Sequence, residues 1–280
     1  MGCKVMNVGL NDLAAGVDFI VEMQNKAEFP MISANILNAE TQKPLFQPHL
    51  ILDTPDLTLG FVGITIGDKR MKEYSFTDPF ESAQKEINSI KDKVDLVFLL
   101  ANVDDKMEKD MVDSLEDVDF IVRSKTGAMN RNPKESNGVV AIRNGNQGKY
   151  AGVLQIRKVD DVSKLTNVSS QHSRIDFADR RLNSMAEKLE DGQTLESFYA
   201  EDEQRMTLIN RLKDEKKENE DLIRKMKNSY YFQAIPLDAK VPDTPEVASL
   251  VAEYITEQKA TKKNKQPKRT KSSRSKTKGK

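Results

Sequence analysis

The sequence predicts an α/β fold with a helical insertion and a basic tail, on three observations. Its 280 residues are enough for one large domain with appendages. Short β-rich runs alternate with helical patterns over residues 1–160, as in layered α/β domains. From about residue 170, apolar residues recur at helical spacing, and the chain ends in a run of basic residues. We expect an α/β domain at 1–168, a helical hairpin or coiled-coil segment at 169–229, a returning strand and helix at 230–258 that close the α/β domain, and a disordered tail at 259–280.

Runs of β-branched, aromatic and other apolar residues predict the strands of this domain. The run 94–100 is apolar on both faces except at its start, so we expect it in the centre of the sheet with helices on each side. In chain order the predicted strands are Val5–Val8, Met31–Asn35, Leu57–Ile64, Val94–Leu100, Phe120–Val122, Val139–Arg143 and Gly152–Arg157.

Amphipathic spacing predicts helices at 15–26 and 79–91 in the same region. The second helix opens with Thr77-Asp78-Pro79, which supplies a capping side chain and then a proline in the first turn.

The hairpin is predicted from a narrower apolar stripe. Its first helix carries apolar residues at intervals of 3, 4, 3 and 4 from Ile175 to Leu189, and Asp191-Gly192 ends it. A second helix spans about 195–230, with Lys216 and Asn219 at core-type positions. Such a stripe needs a partner. The helices of 175–226 therefore form an antiparallel hairpin, associate with another chain or a second copy, or pack as a charged helix on their own domain.

The chain then returns to a globular pattern. Residues 230–237 predict an edge strand, because a proline interrupts the run. Thr244-Pro245-Glu246 predicts the start of a helix that continues to about Thr256.

Charge is unevenly distributed although the formal net charge is zero. Residues 259–280 contain eleven Lys or Arg and no acid, so residues 1–258 carry a net charge of −11. This tail lacks the apolar residues of a core, and we expect it to be disordered. It either binds nucleic acid or an anionic surface or folds back on the acidic body. The candidate polyanion-binding residues are Lys262, Lys263, Lys265, Lys268, Arg269, Lys271 and Arg274.

Composition excludes several classes of protein. No apolar run is long enough for a transmembrane helix, and the N-terminus lacks a signal-peptide pattern, so we expect a soluble chain. Cys3 is the only cysteine, which excludes an intrachain disulfide and a cysteine zinc site. His49 and His172 are the only histidines, and neither lies near a ligand motif. We expect each to be a surface residue or a hydrogen-bonded core residue, and not a metal ligand.

Four segments, in this order, resemble motifs of the bacterial 5′-nucleotidases and UDP-sugar hydrolases of the calcineurin-like metallophosphoesterase superfamily. Phe29–Ile36 resembles the "FPxLSANI" strand, and 59–65 resembles "VGxVGxT". Gly148–Gly152 resembles "GKYxG", and 235–247 resembles the segment "IPLD…VPEDPEV". The resemblance covers about 1–160 and 230–258. It implies a partial metallophosphoesterase layered sheet.

The family holds two divalent metals with His, Asp and Asn ligands, and these metals generate a hydroxide nucleophile. Its "GNHE" motif aligns with 9–12, so Leu10 replaces a ligand Asn and Asn11 the catalytic His. A ligand His after the buried strand falls on Ala101 or Asn102. The "GGHTH" motif aligns with 123–127, where Lys125 and Gly127 replace both imidazoles. The remaining motifs, "DxHG" and "GDxxxG", would precede Met1, so the resemblance implies a domain incomplete at its N-terminus.

The side chains left near these motifs define the residual candidates. Asp12, Asp104 and Asp105 could ligate a hard cation through oxygen alone. Arg123 and Lys125 are candidates for binding an anion.

We therefore expect a non-catalytic binding or scaffold protein without a cofactor. One alternative is a late-start fragment of a metal-dependent nucleotidase with altered chemistry, which would use manganese, zinc or iron. The other is a protein whose tail binds nucleic acid or an anionic surface. The resembled family is commonly periplasmic or exported, so the compartment stays open.

Overall fold

The structure, a computed structural model, describes residues 2–133, 135–160 and 163–265. It divides into two units, Met1–Pro236 and Leu237–Lys280, and each is considered by itself. Within the described ranges, none of the helices has the length and apolar character needed to cross a bilayer.

The first unit is a mixed α/β structure, as predicted. In chain order its strands are β1 (Met6–Asn7), β2 (Met31–Ile32), β3 (Ile36–Asn38), β4 (His49–Asp53), β5 (Thr58–Thr65), β6 (Tyr74–Phe76), β7 (Leu96–Asn102), β8 (Phe120–Ser124), β9 (Glu135–Ser136), β10 (Val139–Arg143), β11 (Tyr150–Arg157), β12 (Thr166–Asn167) and β13 (Ser229–Pro236). Its helices are α1 (Val17–Lys26), α2 (Pro79–Ile90), α3 (Asp105–Ser114), α4 (Ser169–Ala186), α5 (Leu195–Phe198) and α6 (Glu203–Lys225).

The largest sheet has six strands in the order β4-β5-β7-β8-β10-β9. Strands β5, β7, β8 and β10 are parallel, whereas β4 and β9 pair antiparallel at the two edges. Strand β7 is an interior strand, which confirms the prediction from its continuous apolar run. Two further sheets have two strands each, β1-β2 and β3-β6.

The two faces of the six-stranded sheet are covered differently. On one face, Ile87 and Ile90 of α2 pack in a core cluster with Val97 and Leu99 of β7. On the other face, Leu96 and Phe98 of β7 and Phe120 of β8 belong to a cluster with Tyr230 and Phe232 of β13. The prediction of helices on both sides of β7 was therefore wrong on this second face, where a sheet lies against it. Either cover buries apolar side chains, so the apolar pattern is the same for both.

Helix α2 begins as its sequence predicts. Asp78 accepts hydrogen bonds from the N–H groups of Phe80 and Glu81, and Pro79 occupies the first turn. At its other end, Ile90 lies so close to β5 that a Cβ on Gly60 would approach its Cδ1 to 2.7 Å. Glycine at position 60 therefore permits the close packing of α2 on the sheet.

The second sheet has three strands in the order β11-β13-β12. Strand β13 pairs antiparallel with all eight residues of β11 and parallel with the two residues of β12. The prediction that 230–237 forms an edge strand is wrong at Tyr230, which pairs with both β11 and β12, but it agrees with the pairing of Tyr231 to Pro236, whose strand partner is β11. Pro236, at the end of the strand, does not interrupt the pairing of the residues before it.

Helices α4 and α6 form an antiparallel hairpin within the chain. Tyr199 donates to the carbonyl of Met185, and Lys216 pairs with Asp179 at 2.7 Å. Residues later in the chain thus contact residues earlier in α4, as in an antiparallel pair. The buried residues between them include Ala178, Ile209 and Leu212. Asn219, one of the predicted polar interruptions, is buried and donates to the carbonyl of Glu215.

The second long helix is divided. The chain forms the short α5 and then α6, where Asp202 caps the N-terminus by accepting from Arg205 N. Helix α6 ends at Lys225, before the predicted end near Tyr230, because the chain enters β13 at Ser229.

The second unit contains α7 (Pro245–Lys265), which starts where Thr244-Pro245-Glu246 predicts. It extends past the predicted end at Thr256 and includes 259–265, the first part of the predicted tail. Residues 266–280 lie outside the described residues, so their predicted disorder stays a prediction. The predicted domain boundaries also stay predictions.

Candidate functional site

A cavity of about 580 Å³ lies at the carboxyl ends of β1 and of the parallel strands β5, β7 and β8. Four segments line it: residues of 7–14 at the end of β1 and after it, residues of 68–71 after β5, Asn102 at the end of β7, and 124–125 at the end of β8. Parallel strands deliver their following loops to one edge of a sheet. The structure thus brings together three of the segments that aligned with ligand motifs.

The segment after β1 forms a tight turn. Gly9 N donates to the Oδ2 atom of Asp12 at 2.8 Å, and Asp12 N donates to the carbonyl of Gly9 at 3.1 Å. One carboxylate oxygen of Asp12 therefore accepts a hydrogen bond within the turn. Leu10 and Asn11, which replace the family's Asn and His, both line the cavity.

Asn102 connects two walls of the cavity. Its Oδ1 atom accepts from Leu10 N at 3.4 Å, and its Nδ2 atom donates to Ser124 Oγ at 2.8 Å. A Cβ on Gly9 would come within 2.9 Å of this amide, so Gly9 permits the contact. Of the two alternatives for the position after the buried strand, Asn102 lies in the cavity, whereas Ala101 is buried in the core.

Lys125 brings a cation to the cavity, from an exposed position with a left-handed backbone at φ 60°. Its carbonyl accepts from Arg123 Nη2 at 3.5 Å. Residues with positive φ are usually glycine, asparagine or aspartate.

An ion pair between Asp68 and Arg70 lies on the wall that follows β5. The Arg70 guanidinium donates to both carboxylate oxygens of Asp68, at 2.6 to 3.1 Å. This hydrogen bonding, together with a backbone hydrogen bond from Arg70 and the charge of Lys125, lowers the pKa of Asp68 to about 2. Neither residue was predicted from the sequence. The available signal was their position directly after β5, a parallel neighbour of β7.

Arg123 does not line the cavity. Its side chain is 2% exposed, and its Nη1 atom pairs with Glu108 at 2.9 Å and with Asp105 at 2.5 Å. Its Nε atom donates to the carbonyl of Val103. The guanidinium thus has internal partners, which the sequence could not reveal because Glu108 lies on α3, a helix that was not predicted.

The other candidate residues also lie away from the cavity wall. Asp104 caps α3 by accepting from Met107 N at 2.9 Å, and the side chain of Asp105 is exposed beside Arg123. Gly127 follows Lys125 without lining the cavity. The tail candidates Lys262, Lys263 and Lys265 belong to α7, and Lys268, Arg269, Lys271 and Arg274 lie outside the described residues.

The two histidines have other environments. His49 Nδ1 lies 2.9 Å from an Oε2 atom of Glu86, and the ring of His172 stacks on Tyr231 at 4.1 Å. Burial lowers the pKa of His172.

The cavity side chains do not fit a pair of divalent metals. Leu10 provides no donor atom, Lys125 provides a cation, and Asp68 is paired with Arg70. A metal pair needs several anionic or imidazole donors converging on one point. In the described ranges, no three His, Cys, Asp or Glu side chains are grouped in a way that could hold a metal ion.

Comparison with known proteins supports the resemblance noted in the sequence. No family model matches the chain. A 2′,3′-cyclic-nucleotide 2′-phosphodiesterase/3′-nucleotidase of Yersinia enterocolitica is 37% identical over 68 residues, which are 21% of this chain and 10% of the relative. A 5′-nucleotidase of Vibrio cholerae is 30% identical over 112 residues, which are 37% of this chain and 20% of the relative.

A solved structure also resembles this fold. The sulfate thiohydrolase of Thermus thermophilus superposes with a TM-score of 0.51 at 16% identity, over 55% of this chain and 30% of that chain. At this identity the likeness concerns the fold alone. The chain matches only about a tenth to a fifth of the length of the curated relatives described above. Over these stretches the chain is similar to a 3′-nucleotidase and a 5′-nucleotidase, in line with the resemblance of its motifs, and it shares a fold with the sulfate thiohydrolase.

Proposed function

We propose that this chain is a non-catalytic 5′-nucleotidase-like phosphoesterase domain that acts as a binding or scaffold protein. The observation that carries the proposal is the composition of the cavity. Leu10, Asn11, Asn102 and Lys125 line it, at the positions where the resembled motifs have metal ligands or the catalytic imidazole.

Each replacement removes a chemical requirement of metal-assisted hydrolysis. A leucine side chain has no lone pair to give to a metal, and an ammonium group repels a dication and cannot ligate it. The amide of Asn102 already joins Leu10 N to Ser124 Oγ. Asn11 cannot act as a general acid or base near neutral pH, because its amide does not titrate there.

The same residues support a binding role. The walls are held by short internal contacts, including the Asp12 turn and the Asn102 bridge, and the cavity presents the Asn11 amide and the Lys125 ammonium as donors. A pocket of this size fits a small polar ligand. In a scaffold role, the sheet would hold the α4–α6 hairpin in position, and the hairpin would contact another protein.

Metal content and turnover test the proposal together. The full chain would be incubated with manganese, zinc and iron, exchanged into metal-free buffer, and analysed for bound metal by elemental analysis. The same sample would be assayed against bis(p-nitrophenyl) phosphate and a 5′-nucleotide. We expect no stoichiometric metal and no metal-dependent turnover.

One outcome would overturn the proposal: stoichiometric metal with turnover that Asp12→Asn or Asp68→Asn abolishes. Asp18→Asn is the matched control, since Asp18 lies on α1 and does not line the cavity. Turnover unaffected by Asp12→Asn and Asp68→Asn but removed by further purification would indicate a contaminating enzyme and leave the proposal standing.

A further inference from the structure

Helix α7 carries an exposed apolar stripe. Val247, Leu250, Val251, Tyr254 and Ile255 are all large apolar residues with exposed fractions between 38 and 67%. Their spacing of 3, 4, 7 and 8 residues from Val247 places them on one face of an α-helix. A single exposed leucine would need no explanation, but five apolar side chains on one face indicate an interaction surface.

The remainder of the helix circumference is small or polar. At 100° per residue, Ser249, Ala252 and Thr256 lie on the face opposite the stripe. Glu246 and Glu253 lie to one side of it. The helix is therefore amphipathic over its first three turns, with a boundary between an apolar face and a polar one.

A strongly basic segment follows the stripe directly. The eleven cations of 259–280 begin four residues after Ile255, and no acid occurs among them. The described helix includes the first part of this segment, to Lys265. An apolar face and a dense positive charge are thus joined in one continuous stretch of chain.

We propose that α7 and the basic segment dock onto the surface of a bilayer that contains anionic lipids. The apolar stripe would enter the boundary between headgroups and acyl chains, with the helix lying in the plane of the surface. The cations would contact lipid phosphates and carboxylates. Membrane anchoring through weak elements needs two such signals together, and this stretch of chain supplies both.

The combination of features selects this partner over two others. A nucleic acid would engage the cations through its phosphates but has no use for the apolar stripe. A second copy of the chain could bury the stripe against its own, but it would gain nothing from eleven like charges beside the contact. An anionic bilayer matches both features in one binding event.

Vesicle sedimentation tests the proposal with the full chain. Vesicles of phosphatidylcholine alone would be compared with vesicles that also contain phosphatidylserine. We expect binding to the anionic vesicles at least about tenfold tighter than to the neutral ones, because each cation near the surface adds to the affinity. Raising the salt concentration should weaken it.

Two sets of variants separate the two contributions. Leu250→Ser with Tyr254→Ser removes the apolar anchor, and Lys268→Gln, Arg269→Gln, Lys271→Gln and Arg274→Gln together remove part of the charge. Each set should reduce affinity for anionic vesicles about tenfold or more. Ser249→Ala with Thr256→Ser, on the opposite face, is the matched control and should bind as the parent does. Circular dichroism verifies that all variants keep their helix content.

Three outcomes would overturn the proposal. Equal binding by the stripe variant and the parent would show that charge alone acts. Concentration-dependent dimerisation that the stripe variant loses, without vesicle binding, would identify a second copy as the occupant. Salt-sensitive binding to an RNA or DNA oligomer, again without vesicle binding, would assign the cations to nucleic acid.

Discussion

Asp119 is a partly buried carboxyl at the opposite end of the sheet from the cavity, directly before β8. It accepts a hydrogen bond from Val97 N at 2.7 Å. Burial raises its pKa above the ordinary value, against the opposing effects of the Val97 N–H and the charge of Lys158. Since the folded state holds the neutral form more readily than the unfolded state does, this group contributes stability below its unfolded pKa. That contribution is lost as pH rises through the folded pKa.

Replacing Asp119 by Asn should therefore change the pH dependence of stability. We expect the variant to gain unfolding free energy relative to the parent as pH rises above about 4, because the amide cannot ionise and can still accept from Val97 N. Urea unfolding between acidic and neutral pH measures this difference. Asp56→Asn, at an exposed loop position, is the control and should show no such trend. A variant that instead loses stability as pH rises would contradict the assignment.

Lys125 shows how a single position defines the chemistry of the cavity. The sequence alone indicated that a cation stands where the resembled motif has an imidazole. The structure adds that this residue lines a real cavity and adopts a left-handed backbone conformation. It also adds that the charge of Lys125 helps to lower the pKa of Asp68.

At the scale of elements, a buried ion network fastens α3 to the sheet. Glu108 of α3 accepts from Arg123 of β8 at 2.9 Å and from the Nε atom of Arg143 of β10 at 2.9 Å. Its side chain is 3% exposed. Neutralising this carboxylate leaves two guanidinium groups with less compensation, and one of them is buried.

Glu108→Gln should lower the free energy of unfolding by about 3 kcal/mol, the cost typical of breaking a buried pair. Chemical denaturation measures the loss. Asp110→Asn, exposed on the same helix, should cost less than about 0.5 kcal/mol. A loss at Glu108 no greater than that at the control would show that the network is not stabilising.

At the scale of the whole unit, an aromatic cluster joins the two sheets. Phe120 of β8 stacks on Phe98 of β7 with ring centroids 4.9 Å apart, and Tyr230 of β13 meets it edge to face at 5.5 Å. Phe120 is completely buried. The contact lies in the layer between the sheets, so it couples the six-stranded sheet to the sheet from which the α4–α6 hairpin extends.

Phe120→Ala should destabilise the protein by about 3 to 5 kcal/mol, through lost burial and a residual cavity. We expect the unfolding midpoint to fall sharply in urea or on heating. The same substitution at Phe19, which is 45% exposed on α1, should have a small effect. Similar losses at both positions would contradict a central role for the layer between the sheets.

Local pattern was sufficient for several features of this protein. The charge asymmetry, the interior position of β7 and the cap of α2 all follow from composition and short-range spacing. The positions of the altered ligand motifs follow from the resemblance of the sequence to the nucleotidase motifs. The hairpin also followed from spacing, but its antiparallel pairing within one chain was one of three alternatives. Strands such as β3, β6 and β12 were missed, because two or three residues carry too little periodicity to identify a strand.

Long-range pairing decided the rest. A strand that is apolar on both faces looks the same in sequence whether a helix or a second sheet covers it, so only the structure shows the sheet containing β13 against β7. Arg123 was a candidate for binding an anion until Glu108, fifteen residues earlier on α3, was seen to engage it. Asp68 and Arg70 join the cavity only because β5 pairs in parallel with β7. Sequence records which chemical groups the chain carries, whereas the hydrogen-bonded order of its strands determines which of those groups meet.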